Sequence, residues 1–297
     1  MRQASIYAKF SRIVSPLLLL FASGEMFFIG LGLAAASSIA KLRRTGKIAS
    51  YLLTALWILG FCLVILSATP LSLWVYVLWL GSGIALPVIH ILKVSPAWEK
   101  RATAAFVAIA LAMSAAELRH QLPPSLPVLA DHPIFVVGDS ISAGIRTGAR
   151  TWPEVLADHS HLQVVNLSRA GATVDSALTQ LNGVTDPDAL LIVEIGGNDL
   201  LTDEDGRVFR AHLDAFLGRA TQKSRHLAMF ELPLFPFYNA YGRAQRDLAE
   251  RYGVTLIPKR CLTRVFGMKD GTLDGLHLSQ KGHDVLAQTL AGFLKVK

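Results

Sequence analysis

Residues that could carry out acyl transfer lie at the ends of short apolar runs in the second half of the chain. Ser140 follows "IFVVG" in the triplet "GDS", and Asn198 follows "ALLIVEI" in "GGND". Asp274 and His277 lie three residues apart in "DGLHLS", just before a segment of helical character. A serine hydroxyl, an imidazole and a carboxylate that orients the imidazole are the parts of a nucleophilic catalyst. The types and spacing of these residues predict acyl-transfer chemistry.

Two donors for a developing oxyanion accompany these residues. Gly171, in "NLSRAGAT", has no Cβ and therefore lets a substrate oxygen approach its backbone N–H. The side-chain amide of Asn198 can donate to the same oxygen as charge develops on it. Each motif alone has a purely structural explanation, such as a turn glycine or a capping aspartate. The exception is "GGND", whose doubled glycine and amide after a buried strand favour a functional role even alone; for the other motifs only the complete set favours catalysis.

The elements that must position these residues are strands that alternate with helices. Five apolar runs, "IFVVG", "LQVVNL", "ALLIVEI", "HLAMFELP" and "VTLIP", recur after residue 133, with helical segments between most of them. This alternation predicts a parallel sheet covered by helices on both faces. Open α/β sheets bind their ligands at the carboxyl ends of the strands. We therefore expect an α/β domain over residues 133–297 with the reactive residues at that edge.

The four blocks "GDSI", "NLSRAGAT", "GGND" and "DGLHLS" together resemble those of the SGNH hydrolases, also called GDSL-type esterases and lipases. The resemblance covers about residues 133–295, and "GDSI" departs from the usual "GDSL" only by an apolar exchange. It implies a flavodoxin-like, three-layer α/β/α fold that needs no metal or organic cofactor.

The resemblance also implies a role for each residue of the site. Ser140 would be the nucleophile, His277 the general base and Asp274 the acid that orients it. The oxyanion hole would be formed by the backbone N–H groups of Ser140 and Gly171 and by the side-chain amide of Asn198.

The first half of the chain has the composition of a membrane region. Residues 1–130 carry 11 Lys or Arg and three acidic residues, a net charge of +8, so this half accounts for the net charge of +7 of the whole chain. The basic residues lie in short clusters between apolar runs, which is typical of membrane-span flanks and argues against a nucleic-acid partner. Four apolar runs are candidate spans, at residues 13–38, 49–68, 71–92 and 102–118.

The second and third runs are each long enough to cross about 30 Å of hydrocarbon as a helix. The first run contains Glu25 and the fourth is short and rich in alanine, so either could be a helix that does not span. The sequence predicts an all-α transmembrane region of three to four spans over residues 1–118. A proline-rich linker is predicted at residues 119–132.

The basic loops predict the orientation of this region. Residues 41–47 and 93–101 carry basic clusters on either side of the hairpin formed by the second and third runs, and such clusters favour the cytoplasm. If the fourth run spans, the α/β domain emerges on the opposite face. We therefore expect a multi-pass protein of the plasma or inner membrane with an extracytoplasmic catalytic domain. Arg2, Lys9 and Arg12 conflict with this orientation if all four runs span.

The function expected from the sequence is a membrane-anchored serine esterase that forms an acyl-enzyme. Its partners would be an acyl ester of a lipid or an envelope glycan and the lipid bilayer itself. Two alternatives stay open: an O-acyltransferase with the same triad, and a membrane-anchored protein that binds its ligand without catalysis. The loop "LPLFPFY", residues 232–238, is either core or an acyl-binding element in which Phe235 or Phe237 contacts substrate.

Overall fold

The computed structural model describes residues 16–43, 46–146 and 148–297. The chain forms two compact units. One unit contains Leu20–Gln121 and Phe235–Asn239, and the other contains Leu122–Leu234 and Ala240–Lys297.

The first unit is helical. Its helices are the end of α1 (Pro16–Ala22), which enters this unit at Leu20, and α2 (Glu25–Lys41), α3 (Lys47–Leu66), α4 (Leu73–Ile91) and α5 (Pro96–Leu118). Phe61 of α3, Trp79 of α4 and Phe106 of α5 stack on one another, with ring centroids 4.2 to 5.9 Å apart, and form the centre of its core.

Helices α3, α4 and α5 are each long and apolar enough to cross a membrane. They correspond to the second, third and fourth predicted runs, and α5 begins already at Pro96, a residue that is favoured in the first turn of a helix. The first predicted run is divided, because Gly24 adopts a left-handed conformation (φ 86°) between α1 and α2. These two helices have 7 and 17 residues. Residues 13–15 of that run, and Arg2, Lys9 and Arg12, lie outside the described residues.

The second unit contains a five-stranded, fully parallel sheet in the order β3-β2-β4-β5-β6. Its strands are β2 (Ile134–Gly138), β3 (Val164–Asn166), β4 (Leu190–Glu194), β5 (His226–Phe230) and β6 (Thr255–Ile257). All five predicted strands are confirmed, and their order is that of flavodoxin-like folds. Every residue of β2 and β4 is buried, so both faces of the central sheet are covered. The predicted flavodoxin-like α/β domain is thereby confirmed.

Helices follow the strands as the alternating pattern predicts. They are α6 (Ser140–Ala143), α7 (Trp152–Ser160), α8 (Val174–Ala177), α9 (Gly197–Leu201), α10 (Gly206–Ala220), α11 (Asn239–Tyr252), α12 (Arg260–Gly267) and α13 (Gln280–Ala291). One strand pair was not predicted. Strand β1 (Leu126–Val128), inside the segment predicted as a linker, pairs in parallel with β7 (Leu294–Val296) near the end of the chain.

Candidate active site

Ser140 lies where the central strand β2 ends and the chain turns at once into a helix. Asp139 is the N-cap of α6, and its Oδ1 accepts the N–H of Ile141 at 2.9 Å. The turn requires a glycine at position 138, because a Cβ there would lie 2.8 Å from the backbone oxygen of Glu194 and from the hydroxyl of Ser142. The capping aspartate and the close approach of β4 therefore fix Ser140 as the first residue of a helix at the carboxyl edge of the sheet.

The predicted acid and base form a hydrogen-bonded pair in the loop before α13. Asp274 Oδ2 lies 2.7 Å from His277 Nδ1. Its other oxygen, Oδ1, accepts the backbone N–H groups of Leu276 and His277 at 3.1 and 2.8 Å. Burial favours the neutral acid, but these three hydrogen bonds outweigh it and hold the pKa of Asp274 below its ordinary value. The carboxylate is thus ionised and aimed at one imidazole nitrogen.

Asn198 joins three of the four sequence blocks. Its Nδ2 donates to Asp139 Oδ2 at 3.2 Å and to the backbone oxygen of Ala172 at 2.9 Å. Asp139 precedes Ser140, and Ala172 follows Gly171. The loop after β3 is also tied to the serine block directly, because the N–H of Arg169 donates to the oxygen of Gly138 at 3.0 Å. Ser140, Gly171 and Asn198 are therefore held at one edge of the sheet.

The histidine block lies near the same place. Burial raises the pKa of the Asp139 carboxyl, and the Ile141 N–H, the Glu194 carboxyl and the nearby His277 imidazole each oppose that rise. His277 is thus close enough to the residue before Ser140 to interact with its charge. The fold brings all four predicted blocks together.

The three predicted oxyanion donors are not equally available. Within the described part of the chain, the backbone N–H groups of Ser140 and Gly171 donate to no other protein group. Gly171 has φ 77°, a left-handed conformation that glycine adopts without strain. Both N–H bonds of the Asn198 amide, in contrast, are already used by Asp139 and Ala172. An oxyanion must therefore take one of them, and the neutral carbonyl of Ala172 is the weaker competitor.

The sequence analysis did not identify Asp199, which supports the glycine loop. Both of its carboxylate oxygens lie 3.1 to 3.2 Å from the N–H of Val174, the first residue of α8. Burial raises the pKa of Asp199 to about 6, against the effect of the Val174 N–H. Asp199 thereby ties the helix after Gly171 to the turn that carries Asn198. In the sequence, Asp199 is the acidic residue that ends "GGND".

The sequence analysis also did not identify a buried polar chain behind Ser140. The indole N–H of Trp152 donates to Ser142 Oγ at 3.1 Å, and Ser142 Oγ donates to Glu194 Oε2 at 2.9 Å. Glu194 is the last residue of β4 and lies beside Gly138 in the sheet. The feature of the sequence that could have indicated these hydrogen bonds is the acidic residue at the end of the apolar strand "LLIVE".

One group of residues in the described part of the chain has metal-ligand types at close range. Ligand-type atoms of Asp199, Glu204 and His212 lie within 4.8 Å of one another. His212 Nδ1 lies 3.4 Å from Glu204 Oε1, and Asp199 accepts the N–H of Val174. We assign no cation to this cluster.

The two phenylalanines predicted as possible substrate contacts differ in their surroundings. Phe237 is 79% exposed and has φ 77°, so it is not a core residue. Phe235 is half-buried. Both lie in Phe235–Asn239, the short segment that groups with the apolar helices rather than with the α/β unit.

Residues 136–285 match the family model described as the GDSL-like Lipase/Acylhydrolase family. Among solved structures, the chain is similar to TesA, with 25% identity, a TM-score of 0.48, and coverage of 55% of this chain and 97% of that one. The esterase EstA from Pseudoalteromonas sp. matches at 20% identity and a TM-score of 0.47, with coverage of 55% and 96%. A lipase/acylhydrolase from Enterococcus faecalis matches at 19% identity and 0.43, with coverage of 54% and 94%. No curated protein matches the chain.

Proposed function

The chain belongs to the GDSL-like lipase/acylhydrolase family and is a carboxylic ester hydrolase, and we propose that Ser140, His277 and Asp274 are its catalytic triad. The observation that carries this proposal is the 2.7 Å contact between Asp274 Oδ2 and His277 Nδ1. With Nδ1 holding its proton toward the carboxylate, Nε2 carries the lone pair that can accept a proton. That nitrogen can then act as a general base.

In the acylation step, Ser140 Oγ attacks the ester carbonyl carbon while His277 Nε2 takes the hydroxyl proton. The carbonyl oxygen becomes an oxyanion that accepts from the N–H groups of Ser140 and Gly171 and from the Asn198 amide. The imidazolium, stabilised by Asp274, then protonates the leaving alcohol oxygen as the ester C–O bond breaks. The product of this step is an acyl-serine and a free alcohol.

In the deacylation step, His277 Nε2 takes a proton from water, and the water oxygen attacks the acyl carbon. The second oxyanion occupies the same donors. Its collapse breaks the bond to Ser140 Oγ, which recovers its proton from His277, and the acid leaves. The Asn198 N–H that ordinarily donates to the oxygen of Ala172 would return to it between turnovers.

We further propose that the enzyme is anchored in a membrane and acts on ester-linked acyl groups of a lipid or an envelope glycan. Only 17% of the most apolar window of α3 and 11% of that of α4 is buried, so these helices present apolar surface to their surroundings. Such continuous apolar surface is typical of lipid-facing helices. The exposed Phe237, in a segment grouped with these helices, supports an acyl chain or lipid as the group bound nearby.

The experiment that tests the proposal compares the wild-type full chain with Ser140→Ala in detergent or nanodiscs, using p-nitrophenyl esters. We expect the rate to fall by roughly a thousandfold or more, because no neighbouring group can replace the hydroxyl. A fluorophosphonate probe should label the wild type at Ser140 and leave the variant unlabelled. A variant that keeps a tenth of the wild-type rate would remove Ser140 from the role of nucleophile.

A further inference from the structure

Two buried carboxyl groups meet directly behind the nucleophile. Asp139 and Glu194 are each 3% exposed, and the backbone N–H of Asp139 donates to the backbone oxygen of Glu194 at 3.2 Å. Their carboxyl groups are close enough that a hydrogen bond between them affects the pKa of each. A hydrogen bond between two carboxyl groups requires a proton on one of them. The surrounding donors determine which one holds it.

The first donor chain ends on Glu194. The indole N–H of Trp152 is only a donor, so Ser142 Oγ accepts from it and must direct its own proton to Glu194 Oε2. Glu194 Oε2 is therefore an acceptor. A proton held by Glu194 would then be on its other oxygen, Oε1.

The second set of donors ends on Asp139. Its Oδ1 accepts the backbone N–H of Ile141 at 2.9 Å, and its Oδ2 accepts the Asn198 amide at 3.2 Å. Neither of these groups can accept a proton from Asp139 in return. Both oxygens of Asp139 are thus already used as acceptors, which favours the ionised form of this residue.

We propose that Glu194 is a positioning residue that holds a proton at neutral pH and donates it to the ionised Asp139, which in turn fixes the orientation of the Asn198 amide. The proposal rests on the proposed oxyanion role of Asn198. The titratable groups that face Asp139 are Glu194 from β4, His277 from the loop before α13 and Asp199 from α9. Glu194 is faced by Asp139 and, among neutral groups, by Ser142.

The arrangement has two consequences for the reaction. The anionic Asp139 holds one N–H of Asn198 by a charge-assisted bond. Only the other N–H, which donates to the neutral oxygen of Ala172, therefore changes its acceptor to the oxyanion. The neutral Glu194 adds no second negative charge close to the place where the oxyanion forms. Burial and the adjacent Asp139 charge both raise the pKa of Glu194 well above its ordinary value, as this role requires.

The test compares two isosteric variants of the full chain, Glu194→Gln and Asp139→Asn. A glutamine reproduces a protonated glutamate, because its amide oxygen accepts from Ser142 and its N–H donates to Asp139. An asparagine at 139 has only one acceptor oxygen for three donors. We expect Glu194→Gln to keep kcat within about threefold and Asp139→Asn to lose roughly tenfold to a hundredfold in kcat with KM little changed.

A second readout does not depend on turnover. The infrared spectrum of the wild type at pH 8 should contain the C=O stretching band of a protonated carboxyl group. That band should be missing from the spectrum of Glu194→Gln at the same pH. The control is Glu231→Gln, because Glu231 is equally buried but is paired with Arg246 at 2.7 Å, and this variant should keep both the band and kcat.

The proposal is overturned if Glu194→Gln loses as much activity as Asp139→Asn, or if the band is missing in the wild type or persists in Glu194→Gln. Failure of the wild type to hydrolyse any ester would instead contradict the proposed function, whatever the spectra contain.

Discussion

Replacing Asp274 by asparagine tests the tautomer of His277 with little disturbance of the loop. Both backbone bonds, from Leu276 and His277, go to Asp274 Oδ1, and the imidazole faces Oδ2 alone. In Asp274→Asn the amide oxygen can keep the two backbone bonds while the amide NH₂ replaces Oδ2. The NH₂ group then donates to Nδ1, which moves the ring proton to Nε2. That nitrogen can no longer accept the proton of Ser140.

The expected loss of kcat in Asp274→Asn depends on how exposed the Asp274–His277 pair is. In the serine-protease template, the same substitution at a buried aspartate lowers kcat by about 10⁴. The side chain of Asp274 is 38% exposed, so water replaces part of the stabilisation that the carboxylate provides to the imidazolium. We therefore expect kcat to fall by about 10²–10³, which corresponds to about 3–4 kcal/mol of transition-state stabilisation. KM and the melting temperature should change little.

The chain contains a matched control for this substitution. Asp186 Oδ2 lies 2.9 Å from His132 Nδ1, and Asp186 Oδ1 accepts the backbone N–H of Asp188 at 2.9 Å. Asp186→Asn thus repeats the same change in a pair that is not part of the proposed site. Steady-state kinetics with a p-nitrophenyl ester should give wild-type kcat for this control. A loss below tenfold in Asp274→Asn, or equal losses in both variants, would refute the tautomer argument.

Three further experiments, with substitutions or reporter fusions, test the remaining parts of the proposal. Asn198→Ala should lower kcat by roughly a hundredfold to a thousandfold, and an effect confined to KM would mean that the amide binds substrate rather than the transition state. A reporter active only outside the cytoplasm should be active when fused after Lys297 and silent at Gly46, and the opposite pair of results would place the catalytic unit inside. Phe235→Ala and Phe237→Ala should shift the chain-length preference in kcat/KM across an ester series; unchanged preference with a large drop in melting temperature would make the loop structural.

The sheet could be predicted because each of its strands is locally apolar and is bounded by turns or helical segments. The β1–β7 pair could not, because its partners are separated by nearly the whole α/β unit and β1 contains Pro127 among other prolines that favour an extended linker. The break between α1 and α2 was likewise hidden in a continuous apolar run. Only the left-handed conformation of Gly24 reveals that this run is two helices.

The candidate site residues could be proposed from the sequence because their motifs are short and contiguous, whereas the groups that position them come from distant parts of the chain. Asp139 is part of "GDS", yet its partner Glu194 ends a different strand, and no local pattern joins them. The register of the parallel strands β2 and β4 explains why the two residues meet. Gly138 and Glu194 are neighbours at the carboxyl ends of β2 and β4, so an acidic residue that ends one central strand must lie beside the turn that follows the other. A carboxyl group at such a position is buried by the helices on both faces and must share a proton or find a cation. Here the nearest ionisable group is the aspartate that orients Asn198, and the same burial that costs stability thereby fixes a donor for the oxyanion.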